Sequence, residues 1–143
     1  MFALGGDDTE SMQSALRLSN LLTDELLSSD LVVIASPMWN FAIPSSLKAW
    51  IDHIVRPGRT FRYAGEGRRL AKEKRAILLL SSGGVFSEGP WKEWDAVEPY
   101  LRRILGFIGI QDIQIARAEG MNIPPLAIHA IPKGERAVEA LAI

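Results

Sequence analysis

With 143 residues, 48% of them hydrophobic and 23% charged, the chain is long enough for one domain with one core and too short for the division expected beyond about 250 residues. A formal net charge of −1 and a pI near 6.1 leave no basic surplus for nucleic acid or anionic lipid. The absence of cysteine removes disulfides, thiolate metal sites and thiol nucleophiles, so any redox chemistry must come from a bound cofactor.

In chain order, Met1 to Asp8 lacks a basic leader and a long apolar run, so no secretory signal is expected there and cytoplasm is the expected location. From Thr9 to about Ser28, Met12, Ala15, Leu16, Leu18, Leu22, Leu26 and Leu27 recur at helical spacing, which predicts a helix. Leu31 to Ala35 is a short unbroken apolar run ending at Ser36-Pro37, as expected of a parallel strand covered on both faces. Pro44 can open a helix that carries Leu47, Trp50, Ile51 and Ile54 inward and stops before Pro57-Gly58. Arg59 to Arg75 is basic and aperiodic, and reads as a long loop with room for a short hairpin.

Ala76 to Leu80 repeats the buried-strand pattern and ends in Ser81-Ser82-Gly83-Gly84. Helical spacing returns from Trp91 to Leu105, with Gly106 and Gly109 closing the helix. Ile113 and Ile115 suggest a third strand, and Glu135 to Ile143 a short last helix with Val138 and Leu141 inward. The order αβαβαβα implies a single α/β domain over 1–143, built on a parallel sheet with right-handed crossovers. No apolar stretch approaches the roughly 20 residues needed to span a bilayer.

In such sheets ligands bind beyond the carboxyl ends of the strands, so the loops after Ala35 and after Leu80 should line one crevice. The first places Met38, Trp39 and Phe41 around the amide of Asn40, offering a flat aromatic ligand both stacking surface and polar contacts. The same residues could instead cap the core. The second lets backbone N–H groups approach a ligand closely through Gly83 and Gly84, or is an ordinary Gly-Gly turn. His53 and His129 are far apart and the chain has no cysteine, so a structural zinc site lacks ligands; no P-loop, dinucleotide fingerprint or nucleophile elbow is present.

Pro37-Met38-Trp39-Asn40-Phe41 resembles the Pro-Met-Tyr-Asn-Phe motif of the FMN-dependent NADH:quinone oxidoreductases, also called azoreductases. Leu47-Lys48, Thr60-Phe61-Arg62-Tyr63, Ser81 with Gly83-Gly84, Gly89-Pro90, Pro99-Tyr100-Leu101, the run from Leu105 to Ile110, and Ala118-Glu119-Gly120 resemble further motifs of that family in the same order. The resemblance implies a flavodoxin-like three-layer α/β/α homodimer that binds FMN and passes electrons from NADH or NADPH to quinones and azo compounds. It implies that Met38, Trp39, Asn40 and Phe41 pack against the flavin ring while Ser81, Ser82, Gly83 and Gly84 bond its polar edge. No catalytic side chain is required, and no metal, nucleic-acid or membrane partner is expected.

Departures from the family pattern are Trp39 in place of Tyr, Ser82 in place of Arg and Phe86 in place of His. Phe61 matches a family aromatic near the substrate pocket and equally suits a core; Trp91 and Trp94 suit a dimer interface or a core. The basic residues between Arg59 and Arg75 suit a solvated face or attraction of nicotinamide phosphates. No segment matches the family's first strand, phosphate-binding loop and first helix, so weak FMN binding and an exposed flank on the Leu31 to Ala35 strand are expected. Two alternatives follow: a flavin reductase using free FMN as substrate, and a non-enzymatic remnant or interaction module.

Overall fold

The computed structural model describes residues 10–63 and 70–142. Helix α1 (Glu10–Ser28) leads into strand β1 (Leu31–Pro37), then helix α2 (Ser45–Ile54), strand β2 (Arg75–Ser81), a single 3-10 turn at Lys92–Trp94, helix α3 (Glu98–Ile108), strand β3 (Asp112–Ala118) and helix α4 (Pro124–Glu139). The strands form a parallel sheet in the order β1-β2-β3, with Ile34 beside Leu78 and Leu78 beside Ile115. The fold is α/β, as the alternating pattern requires.

Alternation along the strands assigns the two faces of the sheet. Ile34, Ala76, Leu78 and Leu80 point to one side, into a core completed by Leu26 of α1, Ile51 and Ile54 of α2, and Leu101, Leu105 and Ile108 of α3. On the other side α4 covers β3: a Cβ on Gly134 would lie 3.2 Å from the Ala118 Cβ and 3.4 Å from the Arg117 carbonyl oxygen. That close approach stops short of β1, where Val33 remains 54% exposed. Among the described residues β1 is a sheet edge, and a groove of about 400 Å³ lined by Leu22, Leu26, Val32, Ile34 and Trp50 runs beside it.

Small polar residues fasten α1 to α2. Buried Ser19 donates its hydroxyl to the His53 carbonyl at 2.7 Å, and Arg56 donates to Ser19 Oγ at 3.0 Å and Asn20 Oδ1 at 2.8 Å. The long loop is pinned at its ends: the fully buried Thr60 hydroxyl donates to the Ile54 carbonyl at 2.6 Å, and the Ala71 N–H donates to the Ile108 carbonyl at 3.0 Å. Part of the suggested hairpin, 64–69 with Arg68 and Arg69, lies outside the described residues. Arg59 pairs with Asp24, Lys74 donates to the Leu27 carbonyl at 2.8 Å, and Arg75 donates to the Ala142 carbonyl at 3.3 Å, so these cations tie elements together. Phe61 is buried against Tyr63 and Phe107, in keeping with a core role.

Two helix expectations are corrected. The predicted helix from Trp91 is interrupted: the Asp95 carboxylate accepts hydrogen bonds from the Val97 and Glu98 N–H groups, at 2.8 and 3.1 Å, and helix α3 begins only at Glu98. Gly106 lies inside α3, and Gly109, at φ 123°, ends it. The last helix begins at Pro124 instead of Glu135, and Val138, expected inward, is 40% exposed; Ala130 and Gly134 are the buried residues of α4. No described helix is long and apolar enough to cross a membrane.

Candidate functional site

The two loops expected to share a crevice leave the sheet side by side. Pro37 is in register with Ser81, and the Met38 N–H donates to the Ser81 carbonyl at 2.8 Å, continuing the ladder one step past the strand end. Trp39 and Ala42 then exchange two backbone hydrogen bonds of 2.9 Å each. The residues between them, Asn40 and Phe41, both have left-handed backbones, at φ 48° and 67°, which makes a tight turn of the I′ type. Asn tolerates that conformation; for Phe it costs about 1–2 kcal/mol.

Phe41 is held there by its surroundings. Its carbonyl accepts the Ala96 N–H at 3.0 Å. Its ring meets Phe86 edge-on at 6.0 Å, lies near-parallel to Trp91 at 6.4 Å and tilts against Trp94 at 5.3 Å between centroids. Trp91 and Trp94 are half exposed, so neither belongs to the core. Their place is beside the turn, which explains why the helical pattern through them misled. Of the predicted residues of this loop, Met38 packs on the core, while Trp39 is 63% and Phe41 39% exposed.

The second loop is organised by the turn between β3 and α4. The carbonyls of Ser82, Gly83 and Gly84 accept N–H groups from Met121 (3.3 Å), Asn122 (2.9 Å) and Gly120 (3.0 Å) respectively. In a trans peptide the N–H points opposite to the carbonyl it is joined to. The N–H groups of Gly83, Gly84 and Val85 are therefore aimed away from that turn, and none donates a hydrogen bond within the described residues. Three neighbouring donors are thus uncommitted where residues 83–85 line a cavity with Phe41. The amide of Asn40 and the backbone N–H groups of Asn40 and Phe41 are likewise uncommitted among the described residues.

Glycine at 83 leaves room for the Asn122 side chain, whose nitrogen a Cβ there would approach to 2.4 Å and displace. The Ser82 hydroxyl is buried and donates to the Gly84 carbonyl at 2.8 Å, so it braces the loop from within; Ser81, half-buried, closes β2. Beyond Gly84, Phe86 lies over the glycine and faces Phe41.

A buried ionic cluster, with no local signature in the sequence, fixes both sides of this arrangement. Arg117, 12% exposed, bonds Asp95 at 2.7 Å, Glu98, and Glu119 at 3.4 Å. Glu119 accepts the N–H groups of Phe86 and Ser87 at 2.8 and 2.9 Å, and the Ser87 hydroxyl at 2.6 Å. Asp95 in turn orders the start of α3 behind Trp94. Burial raises the Glu98 carboxyl pKa, but hydrogen bonds from Arg102 and Arg117 outweigh it and hold the group below its ordinary value.

The crevice therefore combines outward aromatic faces with a row of backbone donors. Such a set suits a flat heteroaromatic ligand with acceptor atoms along one edge. The polar edge of a flavin, with its carbonyl oxygens and ring nitrogens, has that chemistry. His53 lies on α2, and its carbonyl is engaged by Ser19, away from these loops.

The pattern of a family described as having a flavodoxin-like fold matches residues 1–142. An FMN-dependent NADH:quinone oxidoreductase of Beijerinckia indica subsp. indica is 63% identical over 137 residues, covering 95% of this chain and 68% of that protein. FMN-dependent NADH:quinone oxidoreductase 2 of Pseudomonas fluorescens is 52% identical over 115 residues, covering 80% of this chain and 56% of that one. The chain thus spans between about half and two thirds of the length of these relatives. Among solved structures, the crystal structure of azoreductase AzrA superposes with a TM-score of 0.86 at 35% identity, over 96% of this chain and 68% of that one.

Proposed function

Since this chain belongs to the flavodoxin-like family that includes the FMN-dependent NADH:quinone oxidoreductases, we propose that its crevice binds the ring of FMN and that the protein reduces quinones with NADH. The observation that carries this is that Gly83, Gly84 and Val85, whose N–H groups are uncommitted among the described residues, line one cavity with the exposed Phe41 of the neighbouring turn. Gly83, Gly84 and Val85 donate to the acceptor edge of the flavin ring, and the Asn40 amide reaches the same edge. Trp39 and Phe41 cover its apolar part, and Met38 supports that cover from the core side. Ser81 and Ser82 set the direction of the second loop.

When bound, FMN supplies the electron-carrying chemistry, accepting a hydride equivalent from the nicotinamide and delivering two electrons to the acceptor. The residues named above orient the ring, keep one face accessible and exclude water from the other. A quinone taking two electrons also takes two protons: the hydride equivalent from NADH accounts for one, and the other is drawn from solvent. Azo compounds fall within the proposed acceptor range, one two-electron, two-proton turnover giving the hydrazine and a second cleaving it to two amines. Homodimerisation, as the resemblance implies, would further enclose the exposed aromatic cluster, and NADPH would serve as an alternative donor.

The test is an FMN titration followed by quenching of flavin fluorescence, then NADH-driven reduction of 1,4-naphthoquinone by the loaded protein. Saturable binding with turnover is expected. A folded protein that neither quenches flavin nor oxidises NADH would overturn the proposal.

A further inference from the structure

Helix α1 carries two apolar faces. Ser19, Thr23 and Leu26 recur at helical spacing on the buried one, which α2 covers through the Ser19 hydrogen bond to the His53 carbonyl. Ser14, Leu18, Leu21, Glu25 and Ser28 recur at alternating spacings of four and three on the outer one. All five are exposed, Leu18 at 47% and Leu21 at 64%. Alternating fours and threes are the spacing of a seam between two helices. Leu22 and Glu25 carry this seam into the groove of about 400 Å³ beside β1, whose lining includes Leu26, Val33 and Trp50. Charges bracket the seam: Arg17 stands four residues before Leu21 and Glu25 four residues after it. Neither side chain makes a hydrogen bond or ion pair among the described residues, whereas Asp24 beside them is taken by Arg59.

We infer that a second copy of this chain docks on this face, with the two α1 helices antiparallel about a two-fold axis beside Leu21 and Arg17 of each copy bonded to Glu25 of the other. At 1.5 Å per residue, positions 17 and 25 lie about 6 Å to either side of Leu21, so reversing one helix brings each Arg17 level with the opposite Glu25. The ion pair then forms twice, as a two-fold contact between identical surfaces requires. A parallel pairing would set Arg17 against Arg17 and Glu25 against Glu25, which repel. The charge order is therefore complementary to its own reversal, which an unrelated apolar partner would give no reason for. Leu18 and Leu21 of the two copies meet along the seam, and the second helix covers the mouth of the groove over Leu22. A contact along one 19-residue helix, about 28 Å long, lies at the small end of specific interfaces, so association in the micromolar range is expected. It uses no residue of the flavin crevice, and is separate from a contact that would enclose the aromatic cluster around Phe41.

The test is sedimentation equilibrium of the 143-residue protein without FMN, over about 1–200 μM, with circular dichroism confirming that each variant is folded. The particle mass is expected to double across that range. Leu21→Lys, at an exposed position, should weaken this step at least about tenfold, and Arg17→Glu, which turns two attractions into two repulsions, at least about fivefold. Arg17→Glu combined with Glu25→Arg should return the association to within about twofold of the parent. A mass of one chain at every concentration would overturn the inference and leave the groove to a different segment or partner. An association untouched by Leu21→Lys would overturn it by placing the contact elsewhere, and a double variant no stronger than Arg17→Glu alone would refute the antiparallel pairing. Flavin is absent throughout, so the result is independent of the flavin proposal.

Discussion

Replacing Arg117 by Met keeps most of the side chain's length and removes its charge from the centre of three carboxylates. Arg117 is 12% exposed, and its partners Asp95 and Glu119 are each 6% exposed, so water cannot replace the lost guanidinium. Removing one partner of a buried ion pair costs about 3–5 kcal/mol, because the carboxylates left behind are uncompensated. For a domain of this size each kcal/mol lowers Tm by roughly 3 °C, which predicts a fall of about 9–15 °C at pH 7. Thermal unfolding followed by tryptophan emission reads this directly, since Trp91 and Trp94 stand beside the cluster.

The pH dependence has a definite sign. Glu98 has a folded-state pKa below its ordinary 4.5, so its contribution is fully present above that value and is lost as pH falls through the folded pKa. Once protonated, Glu98 no longer needs Arg117, so the gap between the protein and Arg117→Met should shrink as pH falls through the folded pKa of Glu98. A Tm loss under about 3 °C at pH 7, or a gap that widens on acidification, would refute the assignment of Arg117 as the neutraliser of this cluster.

Phe41→Gly relieves left-handed strain of about 1–2 kcal/mol while deleting contacts with Phe86, Trp91 and Trp94 worth about 0.5–1.5 kcal/mol each. Net stability measured in urea should change by less than about 3 kcal/mol while FMN affinity falls at least about tenfold; unchanged flavin affinity would remove Phe41 from the site. Gly134→Leu, where even a Cβ would sit 3.2 Å from Ala118, should push α4 off β3 and destabilise by about 1–3 kcal/mol, and a variant as stable as the parent would show that α4 is not seated on the sheet as described.

Parts of the molecule that follow a single local rule were legible in the sequence. Leu31 to Ala35 and Ala76 to Leu80 read as strands because buried parallel strands are uninterrupted apolar runs, and their shared direction then brought residues 37–41 and 81–84 together. The beginning of α4 was hidden by residues that usually break helices. Pro124 and Pro125 occupy first-turn positions that need no N–H, and Pro132 sits on an exposed face, following Ile128 at 74% exposure, where the carbonyl it frees can meet water. Gly134 is there for close packing against Ala118.

The I′ turn was missed because Asn-Phe lacks the glycine that usually announces it; tertiary contacts to Phe41 hold the strained residue instead. Arg117, Asp95, Glu98 and Glu119 are separated by up to 24 residues and follow no period, so only the fold could bring them into one cluster. Glycines 83 and 84 were recognised as permitting close approach. The direction of the donors depends on hydrogen bonds to Gly120, Met121 and Asn122, which no local pattern reveals.

Amide hydrogen exchange with and without FMN is the most direct measurement of whether residues 83–85 present their N–H groups to the flavin. Without ligand, Gly83, Gly84 and Val85 should exchange rapidly, and saturating FMN should protect all three while leaving the already bonded amides of Met121 and Asn122 little changed. FMN binding with these three amides still exchanging at their free rate would contradict the account.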